Sequence, residues 1–358
     1  MAKNKIDPST LKGFRNTQQK KSKKIEQTKK EKEIKEQKEL EEKKRKEELA
    51  KEEELKRKQE EIEKLFAKVE LKTFKLKLTV LSPVHIGDGS ELEPISYVIK
   101  DNFLYIFDEN YVLENLLQNY QNINLSKLEN INTLVEFFKS YKDFIIEKEL
   151  YKSKIAVAKD IAKLYNNSYG TSNNNDNSYN QMLIHKNIAT LNSYTKKYEP
   201  YIPGSSIKGA LQTVLGLSID ESRLLKVSDT IGIKVSNQIA WSLRKTKKSN
   251  IPQKLEVISK GSVYKFTISK SNIFNFTDLK EKIDDMYKTN DFQAYINFSK
   301  EVKNSNQFLL RIGRYIGQKF MSSNPKIQQP KTRSMFVPTE KNTKVELPFG
   351  WILCEIIE

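Results

Sequence analysis

The segment Pro203-Gly204-Ser205-Ser206-Ile207-Lys208-Gly209 joins a glycine, two hydroxyls and a lysine to an apolar run, Ala210–Leu217. If that run is a helix, its first N–H groups lack partners inside the helix, and the helix dipole adds positive character at the same end. With Lys208 beside them, those donors form a seat for a phosphate. The spacing fails GxxxxGK[ST], so this is not a P-loop. The same residues also suit an ordinary strand-to-helix turn. A second stretch, Arg311-Ile312-Gly313-Arg314-Tyr315-Ile316-Gly317-Gln318-Lys319, sets three basic side chains around two glycines. Gly313 and Gly317 would let a phosphodiester approach the backbone, and Arg311 and Arg314 can bind phosphate bidentately. A hairpin loop with solvated charges is the alternative. A third candidate is Val84-His85-Ile86-Gly87-Asp88-Gly89, which follows a strand pattern. Lys331-Thr332-Arg333 adds a small basic cluster, which by itself reads as a solvated turn.

Other chemistries lack the residues they need. The chain has one cysteine, Cys354, and two histidines, His85 and His185, so neither an internal disulfide nor a cysteine or histidine zinc centre can form. No metal site, cofactor motif or paired-carboxylate site is visible. Metal-free RNA cleavage needs a general base and a general acid, and at neutral pH only the two histidines qualify, with Lys208 as a charge stabiliser. The formal net charge of +17 across 358 residues points to a polyanionic partner, nucleic acid first. A lysine- and asparagine-rich composition supplies part of that excess by itself. No run of eighteen apolar residues occurs, and the charged N-terminus is unlike a signal peptide. A cytoplasmic protein without a membrane partner is therefore expected.

The elements that must position these residues are readable in outline. Residues 1–20 lack periodicity and are expected to be disordered. Residues 21–70 are mostly Lys, Glu, Gln and Arg, without Pro or Gly. Glu precedes Lys by four in pairs such as Glu42/Lys46 and Glu52/Lys56, each worth about 0.2–0.5 kcal/mol to a helix. Apolar residues are too sparse for a heptad seam, which predicts a solvated single helix. From Leu71 the pattern turns globular. Phe74–Val80 alternates as a strand, and Ser96–Ile99 and Phe103–Phe107 form a hairpin through Lys100-Asp101-Asn102. Asp108 caps a helix, a helical stretch covers about 131–164, 166–180 is a flexible loop, and 185–198 is irregular. Strands then fall at 231–240, 255–258, 263–268 and 350–357, with a helix at 277–298. The pattern predicts an α+β protein with antiparallel sheets, a first domain at 71–219 with a helical insertion, and a second at 220–358.

Taken together, Ser82-Pro83-Val84-His85-Ile86-Gly87-Asp88-Gly89 and Tyr201–Leu211 resemble the RAMP (repeat-associated mysterious protein) superfamily of CRISPR systems. In the second half, Val227-Ser228-Asp229, Ile251-Pro252-Gln253, Leu310–Gly313, Lys331-Thr332-Arg333 and Pro348–Trp351 resemble the subunit at the crRNA 3′ end of type III-A Csm effectors. The resemblance spans about 71–358 and excludes the charged helix. It implies tandem ferredoxin-like, RRM-related domains and a non-catalytic crRNA-binding subunit that caps the 3′ end, needed for crRNA maturation and complex assembly. It implies crRNA, the other effector subunits (especially the backbone RAMP subunit) and host exoribonucleases as partners. Carried over by position, Gly204, Ser205, Ser206, Lys208 and Gly209 fall in one glycine loop of the family and Arg311, Gly313, Arg314 and Gly317 in its C-terminal one; with His85, Gly87, Gly89, Lys319 and Arg333 they are expected to meet RNA. Tyr315 and Ile316 stand where the family commonly has small residues. The alternative is a crRNA-processing endoribonuclease of a related branch that uses His85.

Overall fold

The computed structural model describes residues 41–58, 60, 71–128, 130–168, 182–193, 197–242, 253–271, 275–317, 320–321 and 347–357. The chain divides into two units, residues 1–69 and 70–358. In the first unit, residues 41–58 form helix α1, and every side chain along it is exposed. Glu42–Lys46 and Glu54–Lys58 pair at 2.9 and 2.7 Å across one helical turn, the i,i+4 arrangement that the charge pattern dictates. The remainder of the charged segment, and the expected disordered 1–20, lie outside the described residues.

The second unit is built on two sheets. At the centre of the first is β1, Lys72–Val80, whose alternation buries Leu76, Leu78 and Val80. It lies antiparallel between β13 (Val263–Lys270) and β15 (Trp351–Ile356). Outside β15 lies β14 (Gln307–Arg311); outside β13 lies β10 (Ile231–Lys234), and β9 (Leu225–Val227) also pairs with β13. Two helices, α6 (Gly204–Leu215) and α8 (Phe276–Ser299), contribute Ile207, Leu211, Leu279 and Ile283 to the core of this sheet.

The second sheet has the order β2 (Gly87–Leu92), β6 (Ile184–Asn187), β12 (Gln253–Ile258), β11 (Asn237–Ser242), β5 (Ser153–Val157), β4 (Phe103–Ile106), β3 (Tyr97–Lys100). The expected hairpin forms, with Lys100 paired to Phe103 in the strands and Asp101 and Asn102, at φ 51° and 60°, making a two-residue turn between β3 and β4, since a tight hairpin requires left-handed residues there. Asp108 accepts from the Tyr111 N–H and so caps α2 (Glu109–Asn119). With α3 (Ile131–Ser140), α4 (Lys142–Glu147) and α5 (Lys159–Ser168), this helical insertion packs on the β3–β5 side of the sheet. A short helix, α7 (Ile219–Arg223), leads into β9.

Four expectations change. The stretch 131–164 is not continuously helical, because β5 interrupts it, with Ile155 and Val157 buried and Lys154 and Ala156 exposed. Residues 185–198 are not irregular: they carry β6, the short hairpin β7 (Ala189–Leu191), and the start of β8 (Tyr198–Pro200). The second sheet is mixed, since β5 runs parallel to β11 and β6 parallel to β12. Finally, a break at 219/220 does not separate two domains. Each of the two large sheets draws strands from both sides of that point, and residues 70–358 form one unit.

Candidate nucleic-acid interface

Helix α6 begins at Gly204 because a larger residue does not fit. A Cβ there would overlap the Val227 and Ser228 carbonyls that flank the end of β9. The Gly204 N–H donates to Asp229 Oδ1 at 2.7 Å, so the chain's own carboxylate takes the anion position at the helix tip. That placement moves the open donors one residue along. The Ser205 N–H and the Ser205 and Ser206 hydroxyls have no hydrogen-bond partner among the described residues, and Ser205 is exposed. Lys208 is half-buried one turn on. The helix closes on Gly216, whose φ of 67° provides the left-handed cap.

The segment Ser82–Ile86 straps the two sheets together. Val84 exchanges backbone bonds with Ile258 of β12, while Pro83 O accepts from Gly350 N and Ser82 Oγ from Trp351 N. His85 sits at the crossing. It is 0% exposed, its Nδ1 lies 2.8 Å from Glu256 O, and its carbonyl accepts from Arg314 N at 2.8 Å. A carbonyl can only accept, so Nδ1 carries the proton and Nε2 is bare; Nε2 is buried without a partner. Burial, with a smaller contribution from Arg314, lowers the His85 pKa to about 4 against the opposing backbone bond to Glu256. His85 is therefore a neutral structural ring at physiological pH. Gly87 and Gly89 follow on β2 and are exposed, with Gly89 at φ 90°.

The loop after β14 leans on this strap. Gly313 has φ 89°, and a Cβ on it would stand 2.6 Å from His85 O. Tyr315, also left-handed at φ 74°, is held by stacking on the His85 ring (5.8 Å) and by a 3.0 Å bond from its hydroxyl to Gln253 Oε1. A tyrosine thus occupies a backbone conformation that glycine adopts more easily, and its ring contacts offset the strain. The two arginines have different surroundings. Arg311 is 1% exposed, bonded through Nη1 to Asp291 at 2.7 Å and through Nε to Phe349 O at 3.0 Å, and packed over Phe320. Asp291 reaches it because the backbone of α8 leaves helical geometry there, at φ −154° and ψ 62°. Arg314 is exposed. Gly317 is buried at φ 98°.

Between α6 and this loop lies an open cleft of about 350 Å³. Of the residues singled out in the sequence, it is lined by Gly87, Ser205, Ser206, Gly209, Arg311, Gly313 and Arg314. The three loops, distant in sequence, therefore meet. Gly89, Gly204, Lys208 and Gly317 do not line the cleft, and His85 supports it from beneath; Lys319 and Arg333 lie outside the described residues. Sequence reasoning missed Ile86, Thr213, Ile316, Phe320 and Met321, which line it as well. Thr213 follows Ser205 and Gly209 at successive intervals of four, so helical periodicity could have found it. Asp291, 20 residues before its partner Arg311, leaves no local signal. Among the described residues, no group of three or more His, Cys, Asp or Glu side chains could hold a metal ion.

This chain belongs to the RAMP superfamily, whose profile matches residues 77–319. It is similar to the CRISPR system Cms protein Csm5 of Enterococcus italicus, 27% identical over 246 residues, which is 63% of this chain. The chain spans 66% of that relative's length, just under two thirds. In fold it is similar to a chain in a cryo-EM structure of a Csm-crRNA-target RNA ternary complex of a type III-A CRISPR-Cas system. The TM-score is 0.51 at 16% identity, covering 79% of this chain and 100% of that one. A crystal structure of T. onnurineus Csm5 aligns with a TM-score of 0.49 at 16% identity, covering 78% and 100% of the two chains.

Proposed function

We propose that this chain is a non-catalytic crRNA-binding subunit at the 3′ end of a type III-A CRISPR effector, needed for crRNA maturation and assembly. The observation that carries this reading is the meeting of Gly87, Ser205–Ser206 and Arg314 in one cleft. Open backbone and hydroxyl donors there face an exposed guanidinium, a combination suited to a phosphodiester. The superfamily membership, the Csm5 relative and the net charge of +17 agree with it. The first sheet, with α6 and α8 following β1 and β13, fits a ferredoxin-like, RRM-related unit. The adjoining backbone RAMP subunit is the expected neighbour, host exoribonucleases are the expected trimming partners, and the cytoplasm is the expected compartment.

A nuclease built on His85 has less support, because that imidazole is buried and committed to the Glu256 carbonyl. It is a general base in search of a substrate it cannot touch. The test has two arms. Native complex purified through its backbone subunit should yield short RNAs that share a 5′ tag, with 3′ ends that change when this chain is deleted. The isolated full chain should bind single-stranded RNA with an affinity that falls steeply with salt. Salt-insensitive binding, or a complex free of RNA, would overturn the reading.

A further inference from the structure

The cleft has two unlike sides. Ser205, Ser206, Gly209 and Thr213 line the helix side, whereas Ile86, Ile312, Ile316 and Phe320 form an apolar wall opposite. A phosphate gains nothing from such a wall, so whatever fills the cleft also presents an apolar surface.

Gly209 indicates how closely that occupant approaches. Every other described glycine is accounted for by the fold. Gly89, Gly216, Gly261, Gly313, Gly317 and Gly350 have positive φ. A Cβ on Gly87, Gly204 or Gly232 would meet His85, the Val227 carbonyl or Val235. Gly209 has neither reason: its φ is unremarkable for a helix, and a Cβ there would meet nothing within 4 Å. Glycine inside a helix is destabilising relative to alanine, so the fold alone would favour a larger residue. A separate feature is the Arg311 guanidinium, which lines the cleft although 1% exposed. Its Nε and Nη1 are bonded to Phe349 O and Asp291, and Nη2 has no hydrogen-bond partner among the described residues. An N–H that the fold leaves unpaired at the cleft lining can donate to an acceptor there.

We infer that the cleft seats one unpaired nucleobase of the bound RNA, laid between the bare backbone of α6 at Gly209 and the apolar wall. A carbonyl or ring nitrogen of the base accepts from Arg311 Nη2, and the adjoining phosphate lies toward Arg314 and Ser205. This rests on the RNA-binding reading above and adds to it a flipped base, which gives the site affinity that salt does not screen.

The test uses the full chain and single-stranded RNA carrying 2-aminopurine or an abasic nucleotide at each position in turn. One 2-aminopurine position should change its fluorescence on binding, and an abasic nucleotide there should weaken binding about tenfold. Gly209→Leu fills the cleft and favours the helix, so its melting temperature should not fall. It should weaken intact RNA by about the same factor and remove the difference between intact and abasic RNA. Gly209→Ala should fall between. The dependence of affinity on salt should stay that of the wild type in both variants. Wild-type binding by Gly209→Leu, abasic RNAs equal to intact RNA at every position, or a shallower salt dependence in Gly209→Leu would each overturn the base seat while leaving RNA binding intact. A wild-type chain that binds no RNA would overturn both readings.

Discussion

The end of β14 and the turn that follows it differ in what they do with the same residue type. Arg311 closes the strand, is buried, and is held through Nε and Nη1 by Phe349 O and Asp291 and by packing over the Phe320 ring. Arg314, three residues on, keeps its side chain in solvent while its backbone N–H is tied to His85 O. The first holds the wall of the cleft in place, and the second is the cation at its mouth. Two arginines in a glycine-rich stretch look equivalent in sequence. What separates them is the strand, which places one inside and releases the other at a left-handed glycine.

The comparison breaks first at Arg311. Arg311→Ala strands the Asp291 carboxylate and Phe349 O and opens space beside Phe320, so it should cost about 3–5 kcal/mol in denaturant unfolding. A variant as stable as the parent would mean that the ion pair is not formed. Gly204→Ala should follow, with a loss of about 1–3 kcal/mol, because the Val227 carbonyl cannot yield to a methyl. Its RNA affinity should be retained in whatever fraction remains folded.

The strap supplies a pH test. His85 titrates near pH 4 when folded and at its ordinary value when unfolded, so over that interval the unfolded chain binds the extra proton. Stability should therefore rise with pH between about 4 and 6.5, by roughly 2–3 kcal/mol from this group. His85→Gln should remove that part of the pH dependence; an unchanged profile would show that the ring is not buried neutral. The smallest effect on stability, within about 0.5 kcal/mol, is expected for Arg314→Ala, an exposed side chain. That variant should nonetheless lower RNA affinity and reduce the slope of log K against log salt by about one phosphate contact. A variant with the parent's slope would remove Arg314 from the interface.

Much of the local structure was legible. The alternation of Phe74–Val80, the Asp101-Asn102 turn and the Asp108 cap each follow from short-range chemistry that the residues carry themselves. The helix expected at 277–298 is observed as Phe276–Ser299. β5 was lost because five residues with only Ile155 and Val157 buried, set between two helical patterns, look like a continuation of helix. The pairing of β1 with β13 and β15 spans most of the unit, and no local period encodes it. The candidate loops were visible as glycine-rich segments, but their roles were not. Asp229 occupying the helix tip and Asp291 claiming Arg311 are tertiary events, and they decide which charges remain for a ligand.

The placement of β1 has a consequence for synthesis on the ribosome. Leu76–Val80 pairs with Ile352–Ile356, so the central strand of the first sheet is made long before this neighbour. At about 5–20 residues per second, the intervening roughly 270 residues take on the order of tens of seconds. Throughout that interval the apolar face of β1 has no completed sheet to enter. Nascent chains of this protein should thus carry β1 without its β15 partner throughout that interval, and completion of the first sheet should be limited by the delay.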